Sequence, residues 1–134
     1  MKRRARSHCP ISFALDTFGD HWSLLVLRDL IFKGKSRYQE FLASDERIST
    51  NILADRLSRL ENAGIITRKN DPINKKQILY APTKKGLDLI PVMLELVRWS
   101  IKYDSETATP KKFIRELEKD FDGLADKILS QFKR

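Results

Sequence analysis

Residues 48–64, the run ISTNILADRLSRLENAG, constrain the fold more than any other stretch of the chain. Leu53, Leu57 and Leu60 recur at the spacing that places them along one side of a helix and into a core. Asn51, Asp55, Ser58 and Arg59 fall on the opposite side of the same cylinder. Ser49 has the hydroxyl of a good N-cap, and Gly64 supplies the stop. A short helix that opens Ser-Thr-Asn, in a chain of net charge +8, has the form that enters a DNA major groove. Its first turn then meets base edges and phosphates.

The 134 residues suffice for one domain around one core. A sequence pI near 9.7 points to an anionic partner, either nucleic acid or a membrane surface. No apolar run is long enough to cross a bilayer, and the basic start MKRRAR is not followed by an apolar signal region. A cytoplasmic protein without a membrane partner is therefore expected. A lone cysteine excludes an internal disulfide framework. His8, Cys9 and His21 have no later Cys or His to complete a zinc site, so no metal or cofactor is expected. The chain also lacks a Gly-rich phosphate loop and a G-x-S-x-G elbow, and Cys9 has only His8 as a neighbouring base. An enzyme is not expected.

Periodicity sets the elements on either side of the reading helix. Pro10 opens a short helix with Ile11, Ala14, Leu15 and Phe18, Gly19-Asp20 breaks it, and Asp20 caps the next. Residues 22–32 are apolar on nearly every face, with Arg28 and Asp29 as exceptions, which predicts a helix buried on several sides. Ser36 and Gln39 have the spacing of a capping box, so a third helix starts there and carries Tyr38, Phe41 and Leu42 inward. Joined by a tight turn to the Ser49 helix, it makes a helix-turn-helix. The period then changes. Residues 65–69 and 77–80 read as two strands of a hairpin with a basic, turn-rich tip at 70–76, and Pro82 must end the returning strand or lie at an edge.

Thr83 is expected to cap a long helix running to about Tyr103, kinked at Pro91. Its apolar residues exceed what one face of a small domain needs, and a second copy of the chain is the simplest cover. After a hinge at 104–109, a last helix from Pro110 carries Phe113, Leu117, Phe121, Leu124, Ile128 and Phe132 in a narrow stripe suited to docking along a partner helix. The expected fold is thus mainly α with a small β-hairpin. A basic arm at 1–8 precedes a winged helix-turn-helix domain at 9–104 with N- and C-terminal dimerisation helices, and an additional amphipathic helix occupies 105–134.

The order of motifs is specific. Cys9-Pro10, Gly19-Asp20-His21-Trp22, Leu25-Val26-Leu27-Arg28-Asp29-Leu30, Arg37-Tyr38-Gln39-Glu40-Phe41, Ile48-Ser49, Leu53, Arg56-Leu57, Leu60, Gly64, Tyr80 and Thr83-Lys84-Lys85-Gly86 together resemble the HxlR-type family of winged-helix transcription regulators, which are MarR-like in shape. The resemblance covers roughly residues 9–104. It implies a homodimer held by its terminal helices, bound to a pseudo-palindromic double-stranded DNA operator and regulating nearby genes. Three departures stand out: His21 where the family usually has Lys, a wing reading NKKQILY without the family's arginine, and the extra segment from Pro110.

Several candidate site residues admit two readings. Asn51, Asp55 and Arg59 either read bases or form an ordinary solvated face; the capped start and basic wing favour DNA. Asp55 either accepts from a cytosine amine or holds Arg59 in place. Ser49 and Thr50 are placed for phosphate at the helix N-terminus, Arg37 is a phosphate candidate, and Arg56 belongs to the same DNA-binding set. Lys75 and Lys76 are either solubilising charge or contacts to phosphate and the minor groove. Lys2, Arg3, Arg4 and Arg6 would add weak, salt-sensitive affinity. Cys9 is either a small residue at the dimer seam or a thiol sensor, and the resemblance implies the latter in some members, with an electrophile or small molecule as effector. A winged-helix protein-interaction module without specific DNA binding is the alternative function.

Overall fold

A computed structural model of the chain describes residues 7–132, so Lys2, Arg3, Arg4 and Arg6 of the expected arm lie outside the described residues. The chain divides into two compact units at the junction of Thr83 and Lys84. The first holds α1 (Pro10–Phe18), α2 (Ser23–Ile31), α3 (Tyr38–Leu42), α4 (Thr50–Asn62), β1 (Ile66–Asn70) and β2 (Ile78–Pro82). Its order of elements is that of a winged helix-turn-helix. The second holds α5 (Lys84–Leu87), α6 (Ile90–Tyr103), α7 (Lys111–Lys119) and α8 (Phe121–Ser130). No helix among the described residues is long and apolar enough to cross a membrane.

The core of the first unit forms where α2 meets α4. Val26, Leu27, Leu30 and Ile31 of α2 are buried with Phe41, Ile48, Leu53, Leu57, Leu60, Ile65 and Ile66. Each such side chain contributes on the order of 1.5–3 kcal/mol by leaving water, which outweighs any single polar contact at the surface. Trp22, not Asp20, is the N-cap residue of α2, but the Asp20 carboxylate accepts from the N–H groups of Trp22 and Ser23 at 3.0 Å each and so satisfies the start of the helix. Gly34 and Gly64 adopt φ of 66° and 76°, the left-handed turn that ends α2's extension and stops α4.

The cap of α3 sits one residue later than the Ser36–Gln39 spacing predicts. Arg37 is the N-cap, and the Glu40 carboxylate accepts from the N–H groups of Arg37 and Ser36 at 2.9 and 3.0 Å. Those bonds hold the Glu40 carboxyl below its ordinary value. Of the side chains expected inward, Phe41 is buried, while Tyr38 and Leu42 are half-buried.

Asp29 was expected only as an interruption of an apolar helix, yet it is buried at 2% exposure. A carboxylate taken that far from water needs partners. It has them in Arg28 Nη2 at 2.8 Å, Lys35 Nζ at 3.4 Å and the Ser44 hydroxyl. Arg28 also grips both oxygens of Glu46, at 2.7 and 2.8 Å, so the end of α2 is laced to the turn that leads into α4.

The hairpin pairs Ile66 with Pro82, Arg68 with Tyr80 and Asn70 with Ile78. On its other side β2 meets the chain before α3, through a bridge between Arg37 and Leu79 and a bond from Tyr80 N–H to Ser36 O at 2.8 Å. Position 82 faces the same way as position 80, away from β1. Pro82 therefore ends the strand without removing a bond from the hairpin.

The second unit departs from the sequence reading at two places. The long helix from Thr83 is not kinked at Pro91 but interrupted before it, giving α5 and α6 with Leu89 as the N-cap and Pro91 in the first turn. Proline has no N–H for the preceding carbonyl and its ring crowds that turn, so a fresh helix start is the favourable solution. The single helix expected from Pro110 is likewise two. Asp120, at φ −153° and ψ 83°, ends α7 and caps α8 through Gly123 N–H at 3.0 Å. The apolar stripe folds back on its own chain: α6, α7 and α8 pack mutually and bury Ile90, Met93, Leu94, Leu117, Leu124 and Ile128. That cover is partial, because Val92, Leu96, Trp99 and Tyr103 of α6 stay exposed.

The Arg28 pair carries a pH dependence of known sign. Hydrogen bonding to Arg28 lowers the Glu46 carboxyl from an ordinary 4.5 to about 2, against a smaller opposing effect of burial. A depressed carboxyl stabilises the fold above its unfolded value and ceases to do so as pH falls through its folded value. Urea unfolding of the wild type and Glu46→Gln is expected to show a stability gap that is full at pH 7 and closes between about pH 4.5 and about pH 2.

Candidate nucleic-acid interface

Ser49 caps α4, its hydroxyl accepting from Ile52 N–H at 3.2 Å, an interaction worth about 1 kcal/mol. With Leu53, Leu57 and Leu60 buried, the helix turns Thr50, Asn51, Ala54, Asp55, Ser58 and Arg59 to solvent. Asn51, Asp55 and Arg59 are successive i, i+4 neighbours and form one row along that face. The Tyr38 hydroxyl donates to Thr50 O at 2.9 Å, pinning the first turn of α4 to α3. The row thus has a fixed start and a fixed rotation, and its side chains are exposed.

Electrostatics divide the predicted arginines. Arg59 is 63% exposed and loosely paired with Asp55 at 3.7 Å. Arg56 is only 19% exposed, with Nε on Asp20 at 2.7 Å and Nη1 on Asp55 at 2.5 Å. Its hydrogen bond to Asp20 raises its already high value further, so it is a permanent cation. Burial by itself would raise the Asp20 carboxyl, but bonds from Ser23, Arg56 and the Trp22 and Ser23 N–H groups hold it well below the carboxylate range. Asp20 therefore joins the start of α2 to the middle of α4. In sequence, only its place before α2 is legible.

Arg37 lies at the root of the wing. Its Nη1 is 2.8 Å from Asp71 Oδ2 and 2.5 Å from Gln77 Oε1, so the guanidinium clasps both ends of the tip loop. Asp71 is buried and also accepts from Ile73 N–H at 2.9 Å. The Ile73 bond, followed by the Arg37 bond, holds its carboxyl below its ordinary value. Further bonds run from Asp71 N–H to Gln77 O, from Gln77 N–H to Asn74 O and from the Asn70 amide to Lys75 O, at 2.9, 2.9 and 2.6 Å. Lys75 and Lys76 are exposed at the end of this built loop, with Arg68 and Lys69 exposed on β1. Asp71-Pro72 is a turn signal in sequence; that it answers Arg37 is a tertiary fact no local pattern carries.

The structure thus brings Ser49, Thr50, Asn51, Asp55 and Arg59 together on one open helix face, and Lys75 and Lys76 on one loop of the same unit. Arg37 and Arg56 are engaged in ion pairs at the margins of these surfaces. Cys9 is exposed at the head of α1, a free thiol immediately before Pro10. None of the residues of α1 is buried, and Ile11, Phe13 and Leu15 are exposed.

Comparison with known proteins agrees with this architecture. The family model described as HxlR-like helix-turn-helix matches residues 17–108, ending before α7. An HTH-type transcriptional regulator of Synechocystis, sll1512, is 38% identical over 88 residues, which are 66% of this chain and 64% of that protein. The match thus spans just under two thirds of that relative. YdeP of Bacillus subtilis, also an HTH-type transcriptional regulator, is 34% identical over 71% of this chain and 73% of its own. Among solved structures, reduced YodB from B. subtilis superposes with a TM-score of 0.60 at 27% identity, over 75% of this chain and 99% of that one. The oxidized form of the redox regulator HypR gives 0.62 at 28% identity, over 70% and 96%.

The clasp on the wing has a local readout. Arg37→Ala should raise amide hydrogen exchange at Asp71 and Gln77 while leaving Leu53 and Leu57 protected. Equal protection of the tip in both proteins would show that the guanidinium does not hold the loop.

Proposed function

The chain belongs to the HxlR-like helix-turn-helix family of transcriptional regulators, and from that premise we propose that it is a homodimeric, sequence-specific repressor of a pseudo-palindromic operator, working in the cytoplasm without an enzymatic step. The observation that carries this is the open Asn51–Asp55–Arg59 row beside a lysine-tipped wing. In this reading Asn51 pairs with an adenine edge and Arg59 with guanine or phosphate, while Ser49 and Thr50 meet phosphate at the start of α4. Lys75 and Lys76 supply sequence-independent attraction along the flank. Arg37 and Arg56 act at the backbone with whatever donors their ion pairs leave free.

Pairing of two chains accounts for apolar surface that neither unit covers for itself. Ile11 and Leu15 on α1 are exposed, and on α6 Val92, Leu96, Trp99 and Tyr103 recur at 4, 3, 4 spacing, with the Trp99 and Tyr103 rings 5.3 Å apart. A dimer presents two reading helices to half-sites about 34 Å apart, one turn of DNA. A protein-interaction module would better suit an acidic outer face on α4 than this one.

Fluorescence anisotropy with DNA flanking the gene, at several salt concentrations, tests the proposal. Affinity for one site should exceed that for random DNA, and log K should fall steeply with log salt. Lys75→Ala and Lys76→Ala should each flatten that slope by about one ion while leaving site preference intact. Equal affinity for random DNA at moderate salt ends the specific-regulator reading.

For the input, we propose the Cys9 thiol. HypR is a redox regulator and YodB has been solved diamide-treated and quinone-bound, and here the exposed thiol stands at a helix start beside His8. Cys9→Ser should keep DNA binding and lose the response to diamide or a quinone. A retained response rules Cys9 out as the sensor.

A further inference from the structure

Asp55 is the only carboxylate in the outward row of α4, and it is an odd residue to bring near phosphates. Its Oδ2 bears both arginine contacts, 2.5 Å to Arg56 and 3.7 Å to Arg59. Its Oδ1 has no hydrogen bond among the described residues. Arg56 cannot easily swing away, because its Nε is anchored on Asp20 at 2.7 Å. Asp20 is itself fixed by the N–H groups of Trp22 and Ser23 at 3.0 Å and by the Ser23 hydroxyl at 2.5 Å. A continuous polar chain therefore runs from the start of α2 to the exposed face of α4, and it ends in one open acceptor.

Resting on the DNA-binding reading above, we infer that Asp55 is a specificity-determining residue that accepts from the N4 amine of a cytosine, and that Asp20 is the positioning residue that fixes it through Arg56. An ionised carboxylate only accepts, so it needs a donor on the base edge. In the major groove the donors are the cytosine N4 and adenine N6 amines. Adenine carries the acceptor N7 beside its amine, which repels a carboxylate, whereas cytosine presents no acceptor there. Guanine and thymine offer only acceptors at their exposed edges. The two arginines offset the charge of Asp55 towards phosphate, and a held acceptor loses little freedom when it meets its base.

Binding to a panel of operators carrying each single base-pair change tests both halves of this inference. The wild type should prefer C·G at one position of each half-site by about fivefold or more, the size of one base-edge contact. Asp55→Ala, a change at an exposed site, should flatten preference at that position alone. Asp20→Asn keeps an acceptor for the α2 cap but loses the ion pair, and should flatten the same position with Asp55 still present. Arg56→Lys keeps the charge but not the two-sided reach, and should do likewise. These effects are read as a loss of preference at that one position relative to all the others, which a general loss of folding does not produce. A selective wild type whose Asp55→Ala variant keeps the same profile overturns the cytosine assignment alone. Wild-type profiles in both Asp20→Asn and Arg56→Lys overturn the positioning role. A wild type indifferent at every position overturns this inference together with the reading beneath it.

Discussion

The side of α4 that meets solvent is decided by the side that cannot. Leu53, Leu57 and Leu60 are nearly sealed from water beneath α2, and rotating the helix by one residue would pull them all out. No salt bridge on the open face has comparable weight. The ion pairs do a different job. Asp20 sets α4 against the start of α2, Asp29 and Glu46 set the end of α2 against the turn before α4, and Asp71 sets the wing against α3. Apolar burial supplies the stability, and carboxylates at the joints fix the angles between parts.

That division explains what could be read in advance. The leucine stripe, the Ser49 cap and the Gly64 stop are local patterns, and each lies where its pattern says, while the hairpin is local too but lies one to two residues later, at 66–70 and 78–82. The family's spaced motifs made the winged helix-turn-helix legible as a whole. Arg56 and Arg37 looked like free cations because Asp20 and Asp71 are remote in sequence, and nothing in a local window announces a partner that only folding supplies. Asp29 reads locally only as an interruption of an apolar helix, because its partners Lys35 and Ser44 are supplied by the fold. The α3 cap slipped by one residue because Ser36-x-x-Gln39 and Arg37-x-x-Glu40 overlap, and the ionised Glu40 is the stronger acceptor.

In the second unit the local pattern and the backbone diverge for a different reason. Hydrophobic periodicity runs undisturbed across residues 88–90 and across Asp120, so a stripe count joins what the backbone separates. Proline chemistry at 91 and a side-chain cap at 120 break the helices without breaking the stripe. The consequence is that α7 and α8 occupy one flank of α6 from within the same chain. Surface once assigned wholly to a second copy is thereby shared between a cover in cis and a narrower strip left open.

The clasp of Arg37 on Asp71 and Gln77 separates the wing into two parts that can evolve at different speeds. Its root is bound into the body of the fold, and change there disturbs several contacts at once. Residues 72–76 hang outside that root, with Ile73 at 95% exposure. Substitutions within this short loop therefore touch none of the contacts by which Arg37 fixes the pitch of the ribbon.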